Sequence, residues 1–209
     1  MTSLKELTRK DIESLLKSTI KIIGKYFSFG LTIPFALKGN LGEFIVYNEL
    51  LDKFSDKKII LKGGAFPGID ITIEEIRIQV KTQIKHEKRL YRKGSLDFES
   101  SPTIRKNVID EKKCDIIVLV VLYLNDHLSE INKKNIYIFN QSDFCHFSTV
   151  SCFSGKSEGD YTIFNIIDFQ GIAPPKEYEK IKFYNTRAYK KLFNNSKDNW
   201  KKIEKLLNN

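Results

Sequence analysis

Asp70, Gln79 and Lys81 are the residues of this 209-residue chain whose types and spacing best suit chemistry. They lie in the stretch Pro67-Gly68-Ile69-Asp70-Ile71-Thr72-Ile73-Glu74-Glu75-Ile76-Arg77-Ile78-Gln79-Val80-Lys81-Thr82. Ile69, Ile71 and Ile73 alternate with Asp70 and Thr72. Ile76, Ile78 and Val80 alternate with Arg77, Gln79 and Lys81. Period-two alternation of this kind predicts two half-buried strands. With both isoleucine rows turned to a core, the three polar residues share the opposite face. A turn centred on Glu74-Glu75 sets Asp70 across from Gln79. A carboxylate, an amide and an ammonium gathered in this way can bind a hard metal ion and orient a water molecule.

Several elements must position that face. Thr8 to Phe27 reads as a helix, with Thr8 and Asp11 as a capping pair and Ile12, Leu15, Leu16, Thr19, Ile23 and Tyr26 near one side. Gly30, Pro34 and Gly39 mark Phe29 to Gly39 as a connector. A second helix is expected from about Asn40 to Phe54, with Phe44, Tyr47, Leu50, Leu51 and Phe54 in one broad arc. Glu43 falls inside that arc, where a carboxylate costs free energy unless it has a partner or a task. Asn40-x-x-Glu43 also fits a capping box, a purely local role, and both readings stand. Ile59 to Lys62 is a short strand. Gly63, Gly64, Pro67 and Gly68 form an irregular approach to the ribbon, without the lysine and helix of a phosphate-binding loop. A basic, polar stretch follows Lys81 to about Ser95. Ser101-Pro102 predicts the start of a helix ending near Lys113. Ile116 to Leu122 reads as a strand buried on both faces. Further strands are expected at 135–139 and 162–167, and tail helices near 187–193 and 199–207. The order implies an α/β chain with a mixed sheet flanked by helices.

Glu43 on an early helix, Gly68-Ile69-Asp70 opening one strand and Gln79-Val80-Lys81 in the next resemble the PD-(D/E)XK nuclease superfamily. The resemblance covers about Leu41 to Phe139. It implies a restriction-endonuclease-like mixed sheet, here with an added N-terminal helix and a basic helical C-terminal tail. Two departures stand out: Pro67 is not adjacent to Asp70, and Gln79 occupies the position of the usual acid, a variant similar to that of Mrr-type endonucleases. The resemblance implies Mg²⁺ as cofactor, with Mn²⁺ able to substitute. Asp70 would be the main ligand, with Gln79, the Val80 carbonyl and Glu43 completing the protein's share. Lys81 would orient or deprotonate the attacking water, or stabilise the pentavalent phosphate. An amide oxygen still ligates Mg²⁺, so the glutamine bears on metal stoichiometry more than on activity.

The bland alternatives are specific. Asp70 can cap a glycine-rich turn, and Gln79 and Lys81 can be the solvated face of an edge ribbon. Glu74 or Glu75 would replace Gln79 as ligand if the register slipped. Arg77, Thr82 and Gln83 flank the site within reach of DNA.

Charge points to the same kind of partner. The chain carries 35 Lys and Arg against 26 Asp and Glu, a formal +9, which favours polyanions. Lys85, Lys88, Arg89, Arg92 and Lys93 follow Lys81 closely and are candidate DNA contacts, with His86 and Tyr91 among them. From Lys176 to Asn209 there are ten basic and four acidic side chains, interleaved with Tyr178, Phe183, Tyr184, Tyr189, Phe193 and Trp200. These aromatics can equally pack on the core. Cys114, Cys145 and Cys152 are too few and oddly spaced for a disulfide framework, and with His146 they match no common zinc pattern. No run approaches the roughly 20 apolar residues of a membrane span, and no signal-peptide core opens the chain, so a cytoplasmic location is expected.

The expectation is therefore one nuclease domain over 1–209. Its core spans about 40–140, and the extension from about 141 to 209 serves DNA binding or dimerisation. Double-stranded DNA would be the partner, with no membrane and no organic cofactor. A small type II restriction endonuclease acting as a homodimer at a short duplex site is the leading reading. A Holliday-junction resolvase or Mrr-like repair nuclease, and a non-catalytic nucleic-acid-binding protein of the same fold, are the alternatives.

Overall fold

A computed structural model describes residues 7–29, 31, 33–62, 68–86, 103–105, 112–124, 130–144, 148–151, 162–165 and 186–209. Among them the centre is a five-stranded mixed sheet. Its strands are β1 (Ile59–Leu61), β2 (Ile71–Ile73), β3 (Ile76–His86), β5 (Ile116–Leu124) and β6 (Ile131–Asn140), hydrogen-bonded in that order. The first three form an antiparallel meander, β5 pairs parallel with β3, and β6 closes antiparallel on β5. The chain therefore crosses over between β3 and β5.

Helix α1 (Arg9–Ser28) starts as its capping pair predicts. The Thr8 amide donates to Asp11 Oδ2 at 2.9 Å, and the Asp11 amide to Thr8 Oγ1 at 3.3 Å. Helix α2 (Phe35–Lys53) begins five residues before the expected start, behind Pro34. Pro34 to Gly39 therefore belongs to the helix entry and first turns, not to a connector. Proline is tolerated at such an entry, and Gly39 is carried inside the helix at a modest cost. Leu41, Ile45, Val46, Tyr47, Leu50 and Phe54 are buried, so the apolar surface of α2 extends beyond one narrow arc. It packs on α1 on one side and on β3 on the other.

The sheet is covered on both faces. Ile76, Ile78, Val80 and Ile84 of β3 join Ile116, Val118 and Val120 of β5 in a core with α1 and α2. On the other face Cys114, Ile117, Leu119, Val121, Tyr137 and Phe139 form a second core with Phe144, Leu192 and Phe193. Phe144 ends the short helix α3 (Gln141–Phe144), and the other two lie in α4 (Thr186–Ser196). The chain then rounds the outer edge of β6, where Lys197 bridges Tyr137 and the Asp198 amide donates to Ile136 O at 2.8 Å. Helix α5 (Lys201–Leu207) follows, and Trp200 and Ile203 pack into the first core.

Two expectations are overturned. Residues 103–105 are a strand, β4, not the first turn of a helix, and Lys112-Lys113 are not helical. The rest of that expected helix lies outside the described residues. Strand β4 pairs with β8 (Thr162–Asn165), which also pairs with β7 (Ser148–Ser151), giving a second, three-stranded sheet. A partner nearly 60 positions away decides that conformation, which local proline chemistry does not register. Likewise β3 continues to His86, so the basic stretch after Lys81 begins as strand, held by parallel pairing with β5 as far as Leu124.

Candidate active site

The register of the ribbon is the one its two-residue turn demands. Ile73 pairs with Ile76, Thr72 with Arg77 and Ile71 with Ile78. The paired register ends there, and just beyond it the Asp70 amide donates to Ile78 O at 2.9 Å. Gln79 and Lys81, two residues apart on β3, share one side of that strand. Glu74 makes the turn with φ 48°. Its carboxylate accepts the Lys58 amide at 2.8 Å, so it staples β1 to the turn and does not replace Gln79. Gly68, at φ 85°, supplies the left-handed residue that brings the chain into Ile69 and Asp70.

Strand β2 ends at this point, while β3 runs on. Among the described residues no strand pairs with β3 on that side from Val80 onward. The Val80 amide faces this open edge, and the Asp70 carboxylate takes it: Val80 N–H donates to Asp70 Oδ2 at 2.6 Å. Asp70 is thus held to β3 through this hydrogen bond. Amide and carbonyl of one residue point to the same side of a strand, so the Val80 carbonyl opens onto the edge where the carboxylate sits.

Gln79 is only 7 % exposed, on a strand central to the sheet. That excludes the solvated edge-ribbon alternative. Its Oε1 is buried and accepts no hydrogen bond. An orphaned acceptor of this kind costs about 1–3 kcal/mol. Gln83, two pleats along the same face, is buried with an orphaned Oε1 as well. Gln83 was expected only to flank the site within reach of DNA. Its period-two spacing from Gln79 and Lys81 was the available signal.

Glu43 is a mid-helix residue, since α2 starts at Phe35; the capping-box reading falls. Gly42 seats the helix on β3 beside Lys81. An added Cβ there would lie deep inside contact distance of Thr82 Oγ1 and 3.1 Å from Thr82 Cβ. The Glu43 carboxyl is raised to about 7, chiefly by burial and also by the Asp70 charge, with Lys81 opposing. Burial raises Asp70 too, against the Val80 amide and Lys81, which lower it.

The remaining residues have other work. Arg77 makes a fork with Asp115 at the head of β5: Nε to Oδ2 at 3.0 Å and an Nη to Oδ1 at 2.8 Å. The Arg77 amide also reaches Asp115 Oδ2, and the Asp115 amide returns to Arg77 O, each at 2.8 Å. Arg77 therefore ties β3 to the start of β5 through Asp115. Thr82 lies under α2, not on the open side. Burial pushes the Cys114 thiol up to about 12, which leaves it inert. Phe193 meets the rings of Tyr137 and Phe139 edge-on at 4.9 and 5.5 Å, and Trp200 packs in the first core under Lys53. These two tail aromatics are packing residues. Lys85 is within β3; Lys88, Arg89, Arg92, Lys93, Cys145, His146 and Cys152 lie outside the described residues.

As to a metal, no three His, Cys, Asp or Glu side chains among the described residues form a ready-made cage. The oxygen donors near this edge are instead the Asp70 carboxylate, the Glu43 carboxylate that feels its charge and the Val80 carbonyl, with the unpartnered amide oxygen of Gln79 next along β3. All are hard oxygens, and such a set suits Mg²⁺, which binds few protein ligands and keeps its waters. No helix among the described residues is long and apolar enough to cross a membrane. No protein-family model, curated protein or solved structure matches the chain.

Proposed function

We propose that this chain is a Mg²⁺-dependent DNA endonuclease of the restriction-endonuclease-like fold, acting at short duplex sites in the manner of a small type II restriction enzyme. The observation that carries the reading is the end of β2. There Asp70 caps the Val80 amide, next along β3 from Gln79 with its orphaned acceptor, and lies within the field of Lys81 and Glu43. The three-strand meander followed by a parallel fourth strand supports the fold assignment. The formal charge of +9 supports a polyanionic substrate.

The residues divide the work by their chemistry. Asp70, Gln79, the Val80 carbonyl and Glu43 would hold the metal. The ion, when bound, polarises the scissile phosphate and favours a hydroxide-like water. Hydrolysis forms a bond from the water oxygen to phosphorus. It breaks the ester bond, whose oxygen leaves with the electron pair and takes a proton from solvent, while the attacking water releases its own proton to solvent. Lys81, as an ammonium, stabilises the charge that builds on the phosphoryl oxygens. Asp70 keeps its orientation through the Val80 amide, so it enters the reaction prepositioned.

The test is incubation of purified protein with varied duplex DNA, with Mg²⁺ or with chelator, beside Asp70→Ala and Lys81→Ala. Discrete fragments are expected only from the unmutated protein with metal. Equal cutting by the alanine variants would remove the site assignment, and failure to bind any nucleic acid would remove the class.

A further inference from the structure

We propose that Gly42 is a positioning residue, whose missing side chain sets the distance from α2 to β3 and thereby delivers Glu43 to Asp70 and Lys81. The inference deepens the nuclease reading and rests on it. Gly42 is fully packed within α2, and its neighbour across the interface is Thr82, next to Lys81 in sequence. A Cβ at position 42 would overlap Thr82 Oγ1 and stand 3.1 and 3.3 Å from its Cβ and Cγ2. Thr82 is β-branched and sits in a central strand, so it has little rotamer freedom with which to withdraw. Its Oγ1 accepts and donates no hydrogen bond in this place, so the contact is one of shape. The preceding turn is also close-fitted: a Cβ on Gly39 would stand 3.7 Å from Glu43 Oε1, an ordinary contact. Position 42 alone of these two is incompatible with a larger residue.

Any side chain at 42 therefore moves α2 outward, and Glu43 moves with it. Helix propensity acts the other way, since alanine favours a helix interior over glycine by about 1 kcal/mol. Displacement of a site group by about 1 Å can cost on the order of 100-fold in rate. The relation is testable because it predicts who depends on whom.

The experiment is a double-mutant cycle on the full chain, read by DNA cleavage and by Mn²⁺ affinity in calorimetry. Gly42→Ala is expected to lower kcat by about 10- to 100-fold and to weaken Mn²⁺ binding, as Glu43→Gln does. In the Glu43→Gln background Gly42→Ala should cost nothing more. Thr82→Ala alone should cut normally, and combined with Gly42→Ala it should restore both readouts in large part, since it removes Oγ1 and Cγ2. Thr82→Val keeps the shape and should not rescue. Additive losses from Gly42→Ala and Glu43→Gln, or unimpaired Gly42→Ala, would overturn the proposal. An unmutated protein that neither cuts nor binds Mn²⁺ would instead overturn the nuclease reading beneath it. Circular dichroism and melting temperature keep the two apart from misfolding, because the rescued pair contains the same alanine at 42.

Discussion

Glu43 is the carboxyl whose protonation the fold most disturbs among the described residues. Its carboxyl is raised from 4.5 to about 7, with burial as the largest cause. A folded-state pKa above the unfolded one means that stability is complete below pH 4.5 and falls as pH rises through about 7. In chelator, Glu43→Gln should match the unmutated protein at low pH and exceed it at pH 8, by on the order of 1–2 kcal/mol once solvent screening is allowed for. Denaturant midpoints at the two pH values measure it; equal midpoints at pH 8 would contradict the burial argument. Gln79 makes a second residue-scale case. Gln79→Leu removes the orphaned acceptor, so it should raise stability by about 1 kcal/mol while lowering Mn²⁺ affinity. A loss of stability would mean that the amide has a structural partner.

At the scale of elements, the Arg77–Asp115 fork fixes where β5 enters beside β3. Burial opposes ionisation of Asp115, but the hydrogen bonds and charge of Arg77 outweigh it and hold the carboxyl below its ordinary 3.8. The stabilisation is therefore present above pH 3.8 and is lost as pH falls through the lowered value. Arg77 is partly exposed, so Arg77→Ala should cost about 1 kcal/mol at neutral pH and less in acid. Urea titrations at pH 7 and pH 3 would show the difference narrowing. The ribbon carrying Asp70, Gln79 and Lys81 was legible in sequence because alternation and a two-residue turn set its register locally. Glu43 was legible as a carboxylate on an apolar stripe, but its helix start was not. Gly39 and Pro34 have the local chemistry of breakers, and packing against α1 and β3 overrides them. Strand β4 and the last third of β3 were hidden for a related reason. Their partners, β8 and β5, are distant in sequence, and nothing near Pro102 or Gln83 encodes them. Gly42 carried no signal at all, since its role lies wholly in what it touches.

Across the whole molecule, the C-terminal segment ties the two faces together. Lys202 of α5 donates to Asp143 Oδ2 at 2.7 Å, to Ile138 O at 2.8 Å and to Ser196 Oγ at 3.0 Å. Both members of the ion pair are mostly buried. Lys202→Ala leaves the Asp143 carboxylate without its cation and should cost about 3 kcal/mol. A thermal melt measures this, and an unchanged midpoint would show that α5 contributes little to the fold. The same segment determines how two copies can meet. Lys197 and Asp198 occupy the free side of β6 in its middle, and the opposite margin of the sheet is the three-residue β1. Among the described residues neither margin therefore offers a long uninterrupted row of vacant amides for pairing with another sheet. If the proposed nuclease pairs with a second copy, side chains of the helices or of the smaller sheet suit that contact better than these strand margins.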